Sequence, residues 1–140
     1  KANSTEIKEE TPHPVVDILP EQKEVTDKGG TMRLGSYEAH LAKGKIISKL
    51  YGSDVVYERH RHRYEVNPEY HIQLEQNGLL FAGTSPDGKL VEFIEREDHP
   101  YFVATQGHPE LKSTLEKPAP LFFGLVKAAI KKEKPINVYS

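Results

Sequence analysis

The sequence contains no cysteine. That absence excludes disulfides, fits a cytoplasmic location, and leaves the chain without a thiol nucleophile of its own. No run of about 18 apolar residues exists, so no helix is expected to span a bilayer. The first residues, KANSTEIKEE, do not read as a secretory leader. No G-x-S-x-G elbow is present to strain and expose a serine. Charge of neither sign dominates: 19 Lys and Arg against 21 Asp and Glu leave a net charge of −2. Such a balance gives no general attraction to nucleic acid or to an anionic membrane. Internal repeats and low-complexity tracts are also missing. What remains is 140 residues, 36% hydrophobic and 29% charged, enough for one domain of ordinary globular composition.

The most informative stretch is Tyr101–Glu110, YFVATQGHPE. Tyr101 to Thr105 is aromatic and β-branched, the composition of a buried strand. Pro109 fixes its own φ and keeps His108 out of helical geometry. His108 and Glu110 are therefore expected to leave the strand end extended, with side chains on the same side. A carboxylate on the far nitrogen of an imidazole fixes its tautomer and stabilises the imidazolium, the orienting role in a nucleophile–base–acid triad. The bland alternative is a histidine merely satisfied by a neighbouring acid.

Along the rest of the chain, Pro12 and Pro14 prevent a helix over residues 1–14, and Val15–Leu19 is a short apolar run. Glu21–Gly30 is charged, ends in two glycines and reads as a mobile loop of functional interest. Thr31–Leu41 alternates as a strand, with Met32, Leu34, Tyr37, Ala39 and Leu41 set apart from Arg33, Glu38 and His40, and with Gly35 shifting the register. A short helix is expected over Lys45–Leu50. A second begins at Asn67-Pro68, as N-cap and N1, and runs to Gln76. Leu79–Thr84 and Leu90–Glu95 form a hairpin around Ser85-Pro86-Asp87-Gly88. Leu121–Ile130 has apolar residues at 121, 122, 125, 126 and 129, which predicts an amphipathic helix packed on the sheet. Residues 1–134 are assigned to one domain portion and 135–140 to a disordered tail.

Residues 54–66, DVVYERHRHRYEV, read as a strand with Arg59, Arg61 and Arg63 on one face and His60 and His62 on the other. Four readings stand: a phosphate or nucleic-acid patch, a metal site at His60 and His62, one or two specific carboxylate clamps, or a solvated strand. Zinc needs three or four ligands, and no further ligand motif is evident, so no metal is assigned. The net acidic chain argues against nucleic acid. The overall pattern is β-rich with helices at intervals. It suits the later part of an α/β domain, because several earlier strand–helix alternations would complete a doubly wound one.

Five stretches carry a resemblance: GGTMRLG (29–35), ERHRHRYEVNP (58–68), SPDGKLVEFIE (85–95), HPYFVATQGHPE (99–110) and PLFFGLVKAAI (120–130). They resemble the C-terminal part of the class I glutamine amidotransferase domain of the cytidine triphosphate (CTP) synthase family. ANSTEI (2–7) is similar to the stretch shortly after that family's nucleophile helix. The similarity runs from about Ala2 to Ile130, and ERHRHRYEVNP is its most specific element. The fold implied is the C-terminal part of a three-layer αβα domain, incomplete without its N-terminal half.

The resemblance also implies a mechanism. A cysteine thiolate attacks the amide carbon of glutamine, a γ-glutamyl thioester forms, ammonia leaves, and water releases glutamate. His108 matches the family's base and acid, and Glu110 the residue that orients it. Arg63 matches the arginine that holds the glutamine α-carboxylate, and Glu6 the acid near the α-ammonium. Tyr64 matches a backbone contributor. Ammonia would pass to an N-terminal synthetase domain, where ATP and magnesium activate uridine triphosphate (UTP) for conversion to CTP. GTP is implied as an allosteric effector acting near residues 22–30, and a homotetramer as the full-length assembly. No cofactor is implied in this portion. The chain departs from the family in lacking the cysteine, its elbow, the oxyanion hole and the synthetase domain, and in having Gly107 where members often carry a larger residue. A chain of these residues alone is expected to be inactive; the alternative is a non-catalytic regulatory or assembly module of the same fold.

Overall fold

Short apolar segments separated by glycine- and proline-bearing turns give strands rather than long helices here. The computed structural model describes residues 1–18 and 32–132. The expected loop at 22–30 and tail at 135–140 lie outside the described residues. One sheet has three strands: β1 (Ala2–Ser4) runs parallel to β2 (His13–Asp17), which pairs antiparallel with β5 (Glu65–Val66). The other has five, in the order β4 (Val55–His62), β3 (Arg33–Leu41), β6 (Leu80–Thr84), β7 (Val91–Glu95) and β8 (Val103–Thr105). Every pairing in this second sheet is antiparallel. The helices are α1 (Ile46–Tyr51), α2 (His71–Gln76) and α3 (Pro120–Lys132). None of the described helices is long and apolar enough to cross a membrane.

Ala39, Leu41, Ile47, Val56, Ala82, Phe93 and Leu121 form the core, where α1 and α3 meet the five-stranded sheet. The N-terminus of α1 is fixed by a buried carboxylate. Both oxygens of Glu95 accept amide protons, from Ile46 and Ile47, at 3.2 Å each. Two of the first-turn donors that a helix leaves unpaired are thereby satisfied. The register of β3 corrects the expected one. Pairing with β4 runs unbroken from Arg33 to His40, straight through Gly35. With no shift, Arg33 shares the inward face with Ala39 and Leu41, and Leu34 is 69% exposed. Arg33 tolerates burial because two carboxylates meet it there.

Three other expectations need correction. The helix α3 does not bury the predicted stripe: of its five residues only Leu121 is buried, while Phe122, Leu125 and Val126 are exposed. The face that packs carries Leu121 and Gly124 instead. A Cβ on Gly124 would lie 2.6 Å from the Tyr101 hydroxyl oxygen and 2.9 Å from Leu50, so the missing side chain is what lets α3 approach α1. The strand after Tyr101 is only Val103–Thr105, and it is half-buried with Ala104 exposed. Among the described residues its one partner strand is β7, which leaves it at the end of the strand order. Residues 54–66 break in two at Arg63-Tyr64, and the second piece, β5, joins the other sheet.

Candidate functional site

The site begins where β8 ends. The Gln106 amide extends the pairing by donating to the Glu92 carbonyl at 3.0 Å, and the Gly107 amide donates to Thr105 Oγ1 at 2.9 Å. The His108 amide then donates to the Arg59 carbonyl at 2.7 Å. β4 and β8 stand at opposite ends of the strand order, so the sheet curls until its two edges meet at His108. β3 pairs with β6 at His40 and Leu41, and further along the β3–β4 ribbon Arg33 and His60 both meet Glu92 of β7, so the ribbon lies over that strand. Pro109 opens a one-turn 3-10 helix, Pro109–Leu111, that carries Glu110.

Within this turn, His108 Nδ1 lies 2.7 Å from Glu110 Oε1. The hydrogen bond from His108 holds the Glu110 carboxyl below the usual carboxylate range. An ionised carboxylate only accepts, so the proton on Nδ1 belongs to the imidazole and Nε2 is left as the basic nitrogen. The expected pairing of these two side chains is present, but Glu110 reaches it from a 3-10 turn and not from the extended chain that was expected.

Arg59 and Arg61 share the exposed face of β4, whereas Arg63 lies beyond the last residue of that strand, His62. The three arginines therefore do not share one strand face. Arg63 sits in the crossover between the two sheets. β1 and β2 run parallel and β5 runs against them, with Ser4 level with Val16 and Asp17 with Glu65. Residues after β1, residues after β2 and residues before β5 thus fall at one end of the small sheet. Glu6 and Arg63 both belong there. Glu6 is in the turn after β1, its amide donating to Ser4 Oγ at 3.2 Å. Thr5 Oγ1 secures the turn by donating to Asp17 Oδ1 at 2.7 Å. From Arg59, which holds His108, to Arg63 is four residues, about 13 Å of extended chain.

Beneath this rim is a buried charged cluster that reading the sequence missed. Arg33 contacts Glu92 at 2.7 Å and Glu65 at 3.4 Å, and its guanidinium lies 4.4 Å from the centre of the Tyr37 ring. His60 Nε2 is 3.4 Å from Glu92, and His60 Nδ1 is 2.8 Å from His62 Nε2. His62 Nδ1 in turn lies 3.0 Å from the Tyr64 carbonyl. Burial pushes His60 down to about 3, with the Arg33 charge acting the same way. Burial likewise pushes Glu65 up to about 7, against the pull of Arg33. The two imidazoles thus face each other rather than a cation. Among the described residues no group of three or more His, Cys, Asp or Glu is arranged to hold a metal ion. The signal available in sequence was the alternation that puts Glu58, His60 and His62 opposite the arginines; their burial was not legible.

Comparison with known proteins converges on one family. The family model for class-I glutamine amidotransferases matches residues 6–128. CTP synthase of Methanococcus maripaludis is 66% identical over 131 residues, which cover 94% of this chain and 25% of that protein. CTP synthase of Methanocaldococcus jannaschii is 64% identical over 129 residues, 92% of this chain and 24% of that protein. The chain therefore spans about a quarter of the length of these relatives. Among solved structures, the Trypanosoma brucei CTPS glutaminase domain with bound acivicin superposes with a TM-score of 0.84 at 37% identity. That match covers 95% of this chain and 52% of the other, so the fold here is a part of that glutaminase-domain fold.

Proposed function

The chain belongs to the class I glutamine amidotransferase family, and from that premise we propose that it is the base-bearing part of a CTP synthase glutaminase. The observation that carries the reading is the 2.7 Å contact between His108 Nδ1 and Glu110 Oε1 at the end of β8. The nucleophile is a cysteine thiol outside these 140 residues, which contain none. His108 Nε2 takes the thiol proton, and the thiolate attacks the amide carbon of glutamine. The imidazolium, stabilised by Glu110, returns that proton to the leaving nitrogen as the tetrahedral species collapses to a γ-glutamyl thioester and ammonia. Neutral His108 then deprotonates water, which attacks the thioester carbon; glutamate leaves and the thiol regains its proton.

Arg63 supplies the guanidinium fork for the α-carboxylate of glutamine. Glu6, at the same end of the small sheet, supplies the negative charge for its α-ammonium. Tyr64 contributes its backbone. The ammonia is delivered to a synthetase domain that uses ATP and magnesium to convert UTP to CTP, with GTP as effector and a homotetramer as the working assembly.

The test uses the full-length enzyme that carries this chain. His108→Ala should lower glutamine-dependent CTP formation by about a hundredfold or more while ammonia-dependent formation persists. Equal loss of both would remove the role assigned to His108. Glutamine binding without any turnover in the unaltered protein would instead make the chain a non-catalytic module.

A further inference from the structure

The turn carrying the His108–Glu110 pair is held from behind as well as in front. Glu58, in β4, is 3% exposed. Its Oε1 accepts the Tyr51 hydroxyl at 2.9 Å. Its Oε2 has no hydrogen-bond partner and faces the Lys112 ammonium at 3.4 Å. Lys112 is the first residue after the 3-10 turn, and its ammonium also donates to the Tyr57 carbonyl. Three consecutive residues of β4 are therefore engaged. Tyr57 and Glu58 hold Lys112 at one end of the turn, and Arg59 holds the His108 amide at the other. Glu110 lies between those ends.

The chemistry of the arrangement points one way. A buried carboxylate served on one oxygen by a neutral phenol is costly unless a cation meets the other. Lys112 is that cation. Its side chain is half-exposed while that of Glu58 is 4% exposed, so the ammonium offsets the cost of the buried carboxylate and, in doing so, fixes where the turn sits. The space is also tight: a Cβ at Gly107 would lie 2.9 Å from the Cβ of Glu58. A turn lying this close to β4 cannot rotate without moving the imidazole.

We propose that Glu58 and Lys112 are positioning residues for the His108–Glu110 pair, clamping the turn to β4 so that Nδ1 meets the carboxylate and Nε2 faces the reacting thiol. The clamp serves the reading of His108 as base, but its effect on the imidazole is measurable without catalysis.

The test compares Lys112→Met, Glu58→Gln and the conservative Lys112→Arg. Nitrogen NMR of the His108 ring in the full-length protein reads the tautomer. The Nδ1–H form should predominate in the unaltered chain, fall by about half or more in Lys112→Met and Glu58→Gln, and be retained in Lys112→Arg. In the glutamine-hydrolysing full-length enzyme, the first two substitutions should lower kcat by about ten- to a hundredfold, with little change in KM for glutamine. An unchanged tautomer in Lys112→Met overturns the proposal, as does a loss of kcat without a tautomer shift. Should Glu58→Gln fail to fold, the two Lys112 variants decide, because Met removes the cation that meets Glu58 and Arg keeps it. A tautomer shift in a protein that hydrolyses no glutamine leaves the clamp standing and removes the proposed function instead.

Discussion

The imidazole of His108 and the carboxylate of Glu110 meet at 2.7 Å across a proline, on a turn tied to the opposite edge of the sheet by the Arg59 carbonyl. The contact makes a direct prediction about the acid. The Glu110 carboxyl is held below its ordinary value first by the His108 hydrogen bond, then by its own backbone amide. A carboxylate depressed in the fold stabilises it above the unfolded value and loses that contribution as pH falls through the folded value. Substituting His108→Ala should therefore raise the titration midpoint of Glu110, followed by carbon NMR of its carboxyl, toward that of an ordinary glutamate. A midpoint that did not move would mean that the two side chains are not paired in solution.

Gly107 gives the second prediction. Its role is not a special backbone angle but room. A Cβ there would lie 2.9 Å from Glu58 Cβ, 3.3 Å from Thr105 Oγ1 and 3.5 Å from His60 Nε2. The nearest atom belongs to the stem of a buried side chain and cannot swing aside. Gly107→Ala should cost about 1–3 kcal/mol in urea unfolding. It should also speed hydrogen exchange at the His108 amide, whose bond to Arg59 depends on the same closeness. Unchanged stability and exchange would show that the turn shifts without resistance.

The parts of the site that follow from local chemistry were legible in the sequence. Pro109 keeps His108 out of a helix, and alternation along β4 separates the histidines from Arg59 and Arg61. Asn67 is a cap as expected, its side chain accepting the Glu69 amide, but what it caps is a 3-10 turn, Pro68–Tyr70, and the α-helix begins only at His71. What was not legible depended on distant partners. Arg33 looks like a solvent-facing residue beside Leu34 until Glu65 and Glu92, 32 and 59 positions away, are seen to receive it. Hydropathy assigns the charged residue outward, whereas two buried carboxyl groups that each meet the guanidinium reverse the assignment. The packed face of α3 differs from the expected one for a related reason. Apolar side chains predicted the stripe, but the contact is made where a side chain is missing, at Gly124. The curl that brings β8 to β4 leaves no local mark at all.

The buried cluster gives the last prediction, in stability against pH. Glu65 is 0% exposed, and burial holds it up at about 7 against an ordinary value of 4.5. Between those values the fold keeps a proton that the unfolded chain has lost, so this residue makes stability fall as pH rises. His60 is the opposite case. Burial, then the Arg33 charge, push it down to about 3 from 6.5. Over that range the unfolded chain binds a proton that the fold refuses, so His60 makes stability rise with pH. His62, also lowered chiefly by burial, acts in the same direction. The two opposing windows overlap between pH 4.5 and 6.5, where the Glu65 and His60 contributions offset each other. Removing either partner should expose the other. Glu65→Gln should steepen the rise in stability across that range, and His60→Gln should flatten or reverse it. Urea midpoints measured across the window supply the slopes. Slopes identical to that of the unaltered chain in both variants would mean that neither group changes its proton occupancy on folding, and the cluster would then have to be held by a different distribution of charge.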